Sequence, residues 1–140
     1  MKLNDNPLPW VSELVHLGTK ITNEVNGCQK DIVEKKARYI DRACNLNQEF
    51  GFCHPLTKFK VNEVYNTHFY SSQLWDMFGQ EFQKFESSYN RSIKIYADLP
   101  LQTHRNLIEP VSALPHMKVK VIRNYLNFID TIRSSEKSIV

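Results

Sequence analysis

Apolar and polar residues mostly alternate along the chain from Val11 to Ile21, with Val11, Glu13, Val15, Leu17, Thr19 and Ile21 at one parity and Ser12, Leu14, His16, Gly18 and Lys20 at the other. A period of two predicts strand, and Gly18 marks a bend that folds the run into a small hairpin. Such a hairpin is marginal in water until a further strand or helix covers its apolar face, so the pattern predicts a neighbour. After Asn26-Gly27 the period becomes helical: Val33, Ala37, Ile40 and Cys44 share one face and Lys35, Arg38 and Arg42 another, which predicts a helix over about 29–48. Gly51 ends it, and Pro55 opens a second helix in which Val61, Val64, Tyr65 and His68 share a face. Ser71-Ser72 interrupts the pattern and caps a third segment in which Trp75, Phe78, Phe82, Phe85 and Tyr89 recur, with Gly79 as a weak point and Leu99-Pro100 as the stop. A short helix over 103–108 is expected to end before Pro110, and Pro115 opens the last one. There Val119, Ile122, Leu126 and Ile129 are expected to face inward, widened by Val121, Tyr125, Phe128 and Ile132. Lys120, Arg123, Asn124, Asn127, Asp130 and Ser134 form the opposite stripe.

The fold class that follows is mainly α, a short N-terminal β-hairpin followed by a bundle of about five helices. Residues 1–9, polar and broken by Pro7 and Pro9, read as a flexible lead-in; 10–27 as the hairpin; 28–134 as the helical region; 135–140 as a tail. Aromatic side chains dominate core energetics through their area, and most of those in the chain fall between Phe50 and Tyr96. The stretch 64–76 sits at their centre and is the expected packing hub, with Tyr65, His68, Phe69, Trp75 and Asp76 as its members.

Composition narrows the classes without choosing a function. A chain of 140 residues with 41% hydrophobic and 24% charged residues fits one ordinary globular domain rather than a disordered or fibrous protein. A net charge of +3 is compatible with an anionic partner and far below the excess that would identify one. Cys28, Cys44 and Cys53 are odd in number and form no CxxC pair, which favours reduced thiols inside the cell, in cytoplasm or nucleus, over a disulfide framework. The N-terminus has no apolar core of a signal peptide, and no apolar run reaches membrane-spanning length, so no membrane partner is expected.

Candidate chemistry is sparse. Tyr96-Ala97-Asp98-Leu99 approaches the Tyr-Ala-Asp-Asp signature of reverse transcriptases, but two-metal phosphoryl transfer needs several converging carboxylates and Leu99 stands where the second would be. A helix end followed by a stop is the better reading. The histidines His16, His54, His68, His104 and His116 lack zinc-site spacing, with His54 beside Cys53 the nearest approach. The cysteines carry no nucleophile signature, and the four glycines form no phosphate loop. The better binding candidate is the stripe of Lys35, Arg38 and Arg42, whose spacing suits a phosphate backbone. Asp31 with Lys35 and Glu34 with Arg38 are acid-before-base pairs one turn apart, so the stripe reads equally well as a solvated, self-paired face. Lys118, Lys120 and Arg123 make a second cluster.

Several short motifs follow one another in a distinctive order: Trp10-Val11, His16-Leu17-Gly18, Val25-Asn26-Gly27, Phe50-Gly51-Phe52-Cys53-His54-Pro55, the run 64–76, and Asp98-Leu99-Pro100 with Thr103-His104-Arg105. This order resembles the C-terminal part of reverse transcriptases encoded by non-LTR, LINE-type retrotransposons, and it covers nearly the whole chain from Trp10. Its most specific pieces are Tyr65-Asn66-x-His68-Phe69 with Leu74-Trp75-Asp76, and Asp98-Leu99-Pro100-x-x-Thr103-His104. The resemblance implies that His16, Leu17 and Gly18 belong to the hairpin that closes the palm and holds the primer end. It implies that the helices are thumb-like, with Lys35, Arg38 and Arg42 on the backbone of an RNA/DNA template-primer. In the family the fingers, the palm and its catalytic aspartates precede this region. They are absent from this chain, so the Mg2+ ions those aspartates bind would have no site in it and the chain should not polymerise DNA alone. A truncated element copy or a fragmentary gene model is expected, with the missing palm as the hairpin's partner. A helical protein-interaction module retained by a host, and a remnant without activity, are the alternatives.

Overall fold

In the computed structural model, which describes residues 2–3, 6–7, 11–16, 19–23, 27–66 and 69–135, Lys2–Leu3 (β1) pairs antiparallel with Asn6–Pro7 (β2). The segment expected to be a lead-in without structure therefore carries a two-residue ladder. Pro7 is tolerated there because a two-stranded ladder consists only of edges. Glu13–His16 (β3) pairs antiparallel with Thr19–Thr22 (β4) in a register running from Glu13 opposite Thr22 to His16 opposite Thr19. Gly18, where the sequence predicts the bend, lies with Leu17 outside the described residues. Leu14 and Ile21 are direct cross-strand partners and both are exposed, as are Val11 and Val15. The hairpin meets the rest of the chain at β4, where Thr19 is buried. There a Cβ on Gly27 would lie 2.0 Å from Thr22 Oγ1, so the first helix can start this close to β4 only with glycine at that position.

Five α-helices follow among the described residues: Gly27–Glu49 (α1), Pro55–Asn66 (α2), Gln80–Tyr96 (α3), Ile108–Ser112 (α4) and Met117–Ser134 (α5). Single 3-10 turns at Ser72–Leu74 and Arg105–Leu107 join them. The mainly helical architecture with a leading hairpin is the one the pattern predicts. Two boundaries differ. The third helix starts at Gln80, with Gly79 as its N-cap residue rather than a weak point inside it. The residues before it are used otherwise: Ser71 is left-handed at φ 68, and Asp76 Oδ1 accepts from the Phe78 N–H at 2.9 Å in a side-chain turn. Pro110 lies inside α4, not beyond its end. It occupies the first turn, where its missing N–H would have had no helical partner.

The buried faces depart further from expectation. On α1 the core contributors are Ile32, Tyr39, Ala43 and Leu46, and the expected Val33, Ala37, Ile40 and Cys44 are exposed. The two sets lie one position apart, about 100° around the helix, so the same period fits either. On α2, Phe59 is buried together with Lys58, Asn62 and Asn66, and Val64 and Tyr65 point to solvent. On α3 the expected Phe82, Phe85 and Tyr89 are buried, joined by Ile93 and Tyr96, but Phe78 before it is 85% exposed. On α5 only Met117 and Val121 are buried, Ile129 is half-buried, and Val119, Ile122, Tyr125, Leu126, Phe128 and Ile132 remain exposed.

Rings from three elements make the centre. Tyr39, Phe69, Trp75, Phe82, Phe85 and Tyr89 interlock with centroid separations between 5.5 and 6.4 Å, mostly tilted or edge-on, as ring quadrupoles favour. The hub is thus where the sequence placed it, with different members. Phe69 and Trp75 are buried in it, Asp76 shapes the turn beside it, and His68 lies outside the described residues. Tyr65, at 72% exposure, is no part of it, because the polar side of α2 turns inward instead. That side is held by hydrogen bonds: Asn66 Nδ2 donates to Asn62 Oδ1 at 3.1 Å and to the Tyr39 carbonyl at 3.4 Å. Asp31, expected on a solvated face, is buried and accepts from the Trp75 indole N–H at 2.8 Å and the Ser71 hydroxyl at 3.0 Å. Asn124, expected on the polar stripe of α5, donates to the Phe69 carbonyl at 3.3 Å and Ser72 Oγ at 2.9 Å.

Candidate nucleic-acid interface

Lys35, Arg38 and Arg42 stand at spacings of three and four on α1 and therefore project from one side, flanking the buried ring of Tyr39. The segment following α2 closes against that side. Together they enclose a cavity of about 80 Å³, with the three cations and Tyr39, Asn66 and Phe69 around it and the Phe85 ring beneath. Arg38 is paired with Glu34 one turn earlier, and Arg42 makes no hydrogen bond or ion pair among the described residues. Asn66 Oδ1 is buried without a partner, so one acceptor beside the cations is unsatisfied. The arrangement is a positive rim over a polar, aromatic-floored cleft, suited to the phosphate of a backbone.

Of the other members of the expected binding set, His16 ends β3 opposite Thr19, and Leu17 and Gly18 lie outside the described residues. In the second basic cluster, Lys120 is only half-exposed, with its ammonium 6.0 Å from the centre of the Tyr89 ring. Burial pulls its pKa below the ordinary lysine range. It is partly committed to packing.

Tyr96-Ala97-Asp98-Leu99 is a helix stop in the structure. Asp98 is left-handed at φ 53, its N–H donates to the Ile95 carbonyl at 3.2 Å, and the Leu99 N–H donates to the Lys94 carbonyl at 2.9 Å. These are the paired bonds of a Schellman close, and they account for an Asp in a conformation that most residues avoid. Its carboxylate lies 3.8 Å from the ammonium of buried Lys58. Among the described residues no group of three or more His, Cys, Asp or Glu side chains is placed to hold a metal ion. All three cysteines are free thiols. Burial pushes the phenols of Tyr39, Tyr89 and Tyr96 above their ordinary range, so they stay protonated near neutral pH. No described helix is long and apolar enough to cross a membrane.

Sequence reasoning missed two polar groupings. Glu86 on α3 is buried, with Arg105 Nη2 at 2.9 Å and His116 Nδ1 at 3.2 Å from its Oε1. Those are ion-pair distances without the alignment of hydrogen bonds. Arg105 Nε donates to His116 Nε2 at 2.8 Å, which leaves the imidazole proton on Nδ1, the nitrogen nearest Glu86. Burial, then the Arg105 charge, pull the His116 pKa below the ordinary histidine value. The second grouping is Arg91 and Lys94 on α3 facing Arg105 across a larger cavity. Its only sequence signal is the spacing of Arg91 and Lys94, because Arg105 arrives through the turn after Pro100.

No protein-family model, curated protein or solved structure matches the chain.

Proposed function

We propose that this chain grips the backbone of an RNA/DNA template-primer without reading its sequence, as the thumb-like C-terminal region of a LINE-type reverse transcriptase. The observation that carries the reading is the rim of Lys35, Arg38 and Arg42 over one cleft, with Arg42 unpaired among the described residues. Backbone contacts of this kind position a duplex and carry no sequence information. The hairpin supports the same reading, since exposed Val11, Leu14, Val15 and Ile21 are the surface a palm would cover. In this reading the chemistry and its Mg2+ belong to the palm.

The test is titration of a labelled RNA-DNA duplex, followed by fluorescence anisotropy at several salt concentrations. Weak binding is expected that is independent of sequence and falls with salt. Substitution of Lys35, Arg38 and Arg42 together by Ala weakens it and flattens the plot of log affinity against log salt by about 2 to 3, at roughly 0.7–0.9 for each phosphate no longer neutralised. Superimposable titrations for variant and parent would remove the assignment. A second reading, a helical protein-interaction module, is favoured by the exposed apolar face of α5 and predicts no duplex binding by either protein.

A further inference from the structure

A larger cavity, about 360 Å³, opens between α3 and the segment that leads into α4. Arg91, Lys94 and Arg105 bring three cations to it, Asn90 and Ser87 line its polar side, and Leu101 with Ile108 forms an apolar wall. It does not belong to the α1 rim. Phe85 serves that cleft, whereas Asn90 and Lys94 stand about 140° and 180° from Phe85 around α3 at 100° per residue, so the two sites open on opposite sides of the helix.

The donors here are poised rather than spent. Asn90 is only 9% exposed, yet its amide makes no hydrogen bond among the described residues. Its polar atoms are not among the fully enclosed groups without a partner, so the amide opens on the cavity and is available to what the cavity receives. Lys94 uses one of its three N–H groups, donating to the Leu101 carbonyl at 2.7 Å, and that bond holds the loop against the site. Arg105 is fixed from behind. Nε donates to His116 and Nη2 pairs with Glu86, so its fork is oriented and Nη1 has no partner among the described residues. Arg91 is exposed and likewise unpaired among the described residues. Ser87 Oγ donates to the Gln83 carbonyl at 2.9 Å and has only acceptor capacity left, enough for one protonated oxygen or a hydroxyl.

We infer that this cavity binds a phosphate monoester, with the phosphate among Arg91, Lys94, Arg105 and the Asn90 amide and the body of the ligand against Leu101 and Ile108. Three cations, one of them already paired with Glu86, leave close to two positive charges at the cavity, which with the neutral donor suit the three oxygens and nearly two negative charges of a terminal phosphate better than the single charge of a carboxylate. The volume exceeds that of a single ion and reaches the size of small-molecule sites, and the apolar wall suits a sugar or base carried on the phosphate. A free nucleotide and the 5′-phosphate end of a nucleic-acid strand offer the same chemistry.

Calorimetric titration of the full chain with adenosine 5′-monophosphate, adenosine, and short oligonucleotides with and without a 5′-phosphate tests this. Binding of the monophosphate and not of adenosine is expected. An oligonucleotide advantage that depends on its 5′-phosphate identifies a strand end as the source, and equal oligonucleotide affinities with monophosphate binding identify a free nucleotide. Arg91→Gln, at an exposed position, should keep the melting temperature and weaken the monophosphate about tenfold or more, the loss expected for one charge-assisted hydrogen bond. Asn90→Asp, nearly isosteric, should abolish binding by setting a carboxylate against the phosphate. The Lys35, Arg38 and Arg42 triple variant should bind the monophosphate as the parent does, so this site and the duplex grip stand or fall separately. Absence of monophosphate binding, equal affinity for adenosine, or a folded Arg91→Gln that binds unchanged would overturn the inference.

Discussion

Asp31 is the residue whose role differs most from what its neighbours in sequence suggest. One turn before Lys35, it reads as half of a solvated pair, and it is instead buried with two donors converging on its Oδ2. Trp75 and Ser71 belong to the hub segment, so this carboxylate fixes α1 against the aromatic cluster over a separation of 40 residues or more. Removing it leaves the indole N–H buried without an acceptor, while the Ser71 hydroxyl keeps the Tyr70 carbonyl. Asp31→Ala should therefore cost about 2–3 kcal/mol in chemical denaturation, from the orphaned indole donor rather than lost area. Asp31→Asn keeps an acceptor oxygen and should cost about 1 kcal/mol. Tyr65→Ala is the contrast: the residue belongs to the most distinctive motif of the chain yet is largely exposed, and the change should stay within about 0.5 kcal/mol. Apolar letters could not separate the two cases, because burial of Asp31 depends on partners that only the fold supplies.

At the scale of elements, the existence and order of the helices were legible and their inward faces were not. Along α1 the sets Ile32, Tyr39, Ala43, Leu46 and Val33, Ala37, Ile40, Cys44 satisfy one period equally. Tyr39 decides between them by packing on Phe85 and Tyr89. On α2 the inward set is Lys58, Asn62 and Asn66 around Phe59, which hydropathy assigns to solvent. The cation stripe of the duplex grip was visible as spacing on one helix, but its cleft was not, since Asn66 and Phe69 come from a later segment. The junction of α3, the turn at Arg105–Leu107 and the start of α5 was likewise invisible, and it predicts a pH response. The groups facing His116 are Glu86, Arg105, Glu109 and Lys118, and burial with the Arg105 charge outweighs the two carboxylates to lower its pKa. A histidine whose folded pKa is depressed contributes stability in full above its unfolded value, about 6.5, and loses it as pH falls through the folded one. The melting temperature should thus fall over a pH window that opens at about 6.5 and extends to its acid side. His116→Gln, which cannot charge, should show a shallower decline over the same window, and equal declines would mean that other groups carry it.

At the scale of the whole molecule, the described surface carries two apolar areas that no described element covers. One is the hairpin, with Val11, Leu14, Val15 and Ile21; the other is the outer side of α5, with Val119, Ile122, Tyr125, Leu126 and Ile132. The hairpin's exposure was foreseeable, because two strands have too little to pack against. That of α5 was not, since the pattern marks its apolar side for a core that closes instead on Met117, Val121 and Asn124. Contiguous apolar surface of this kind drives association in water. Sedimentation velocity on the isolated chain should show species heavier than 16.5 kDa that grow with concentration. Ile122→Glu with Leu126→Glu, at exposed positions one turn apart, should cost little stability and shift the distribution toward monomer. Leu14→Lys with Ile21→Lys does the same for the hairpin, and the pair with the larger effect identifies the surface that most needs a partner. Under the reverse-transcriptase reading that surface is the hairpin, so a dominant effect of the α5 pair would instead favour the protein-interaction reading.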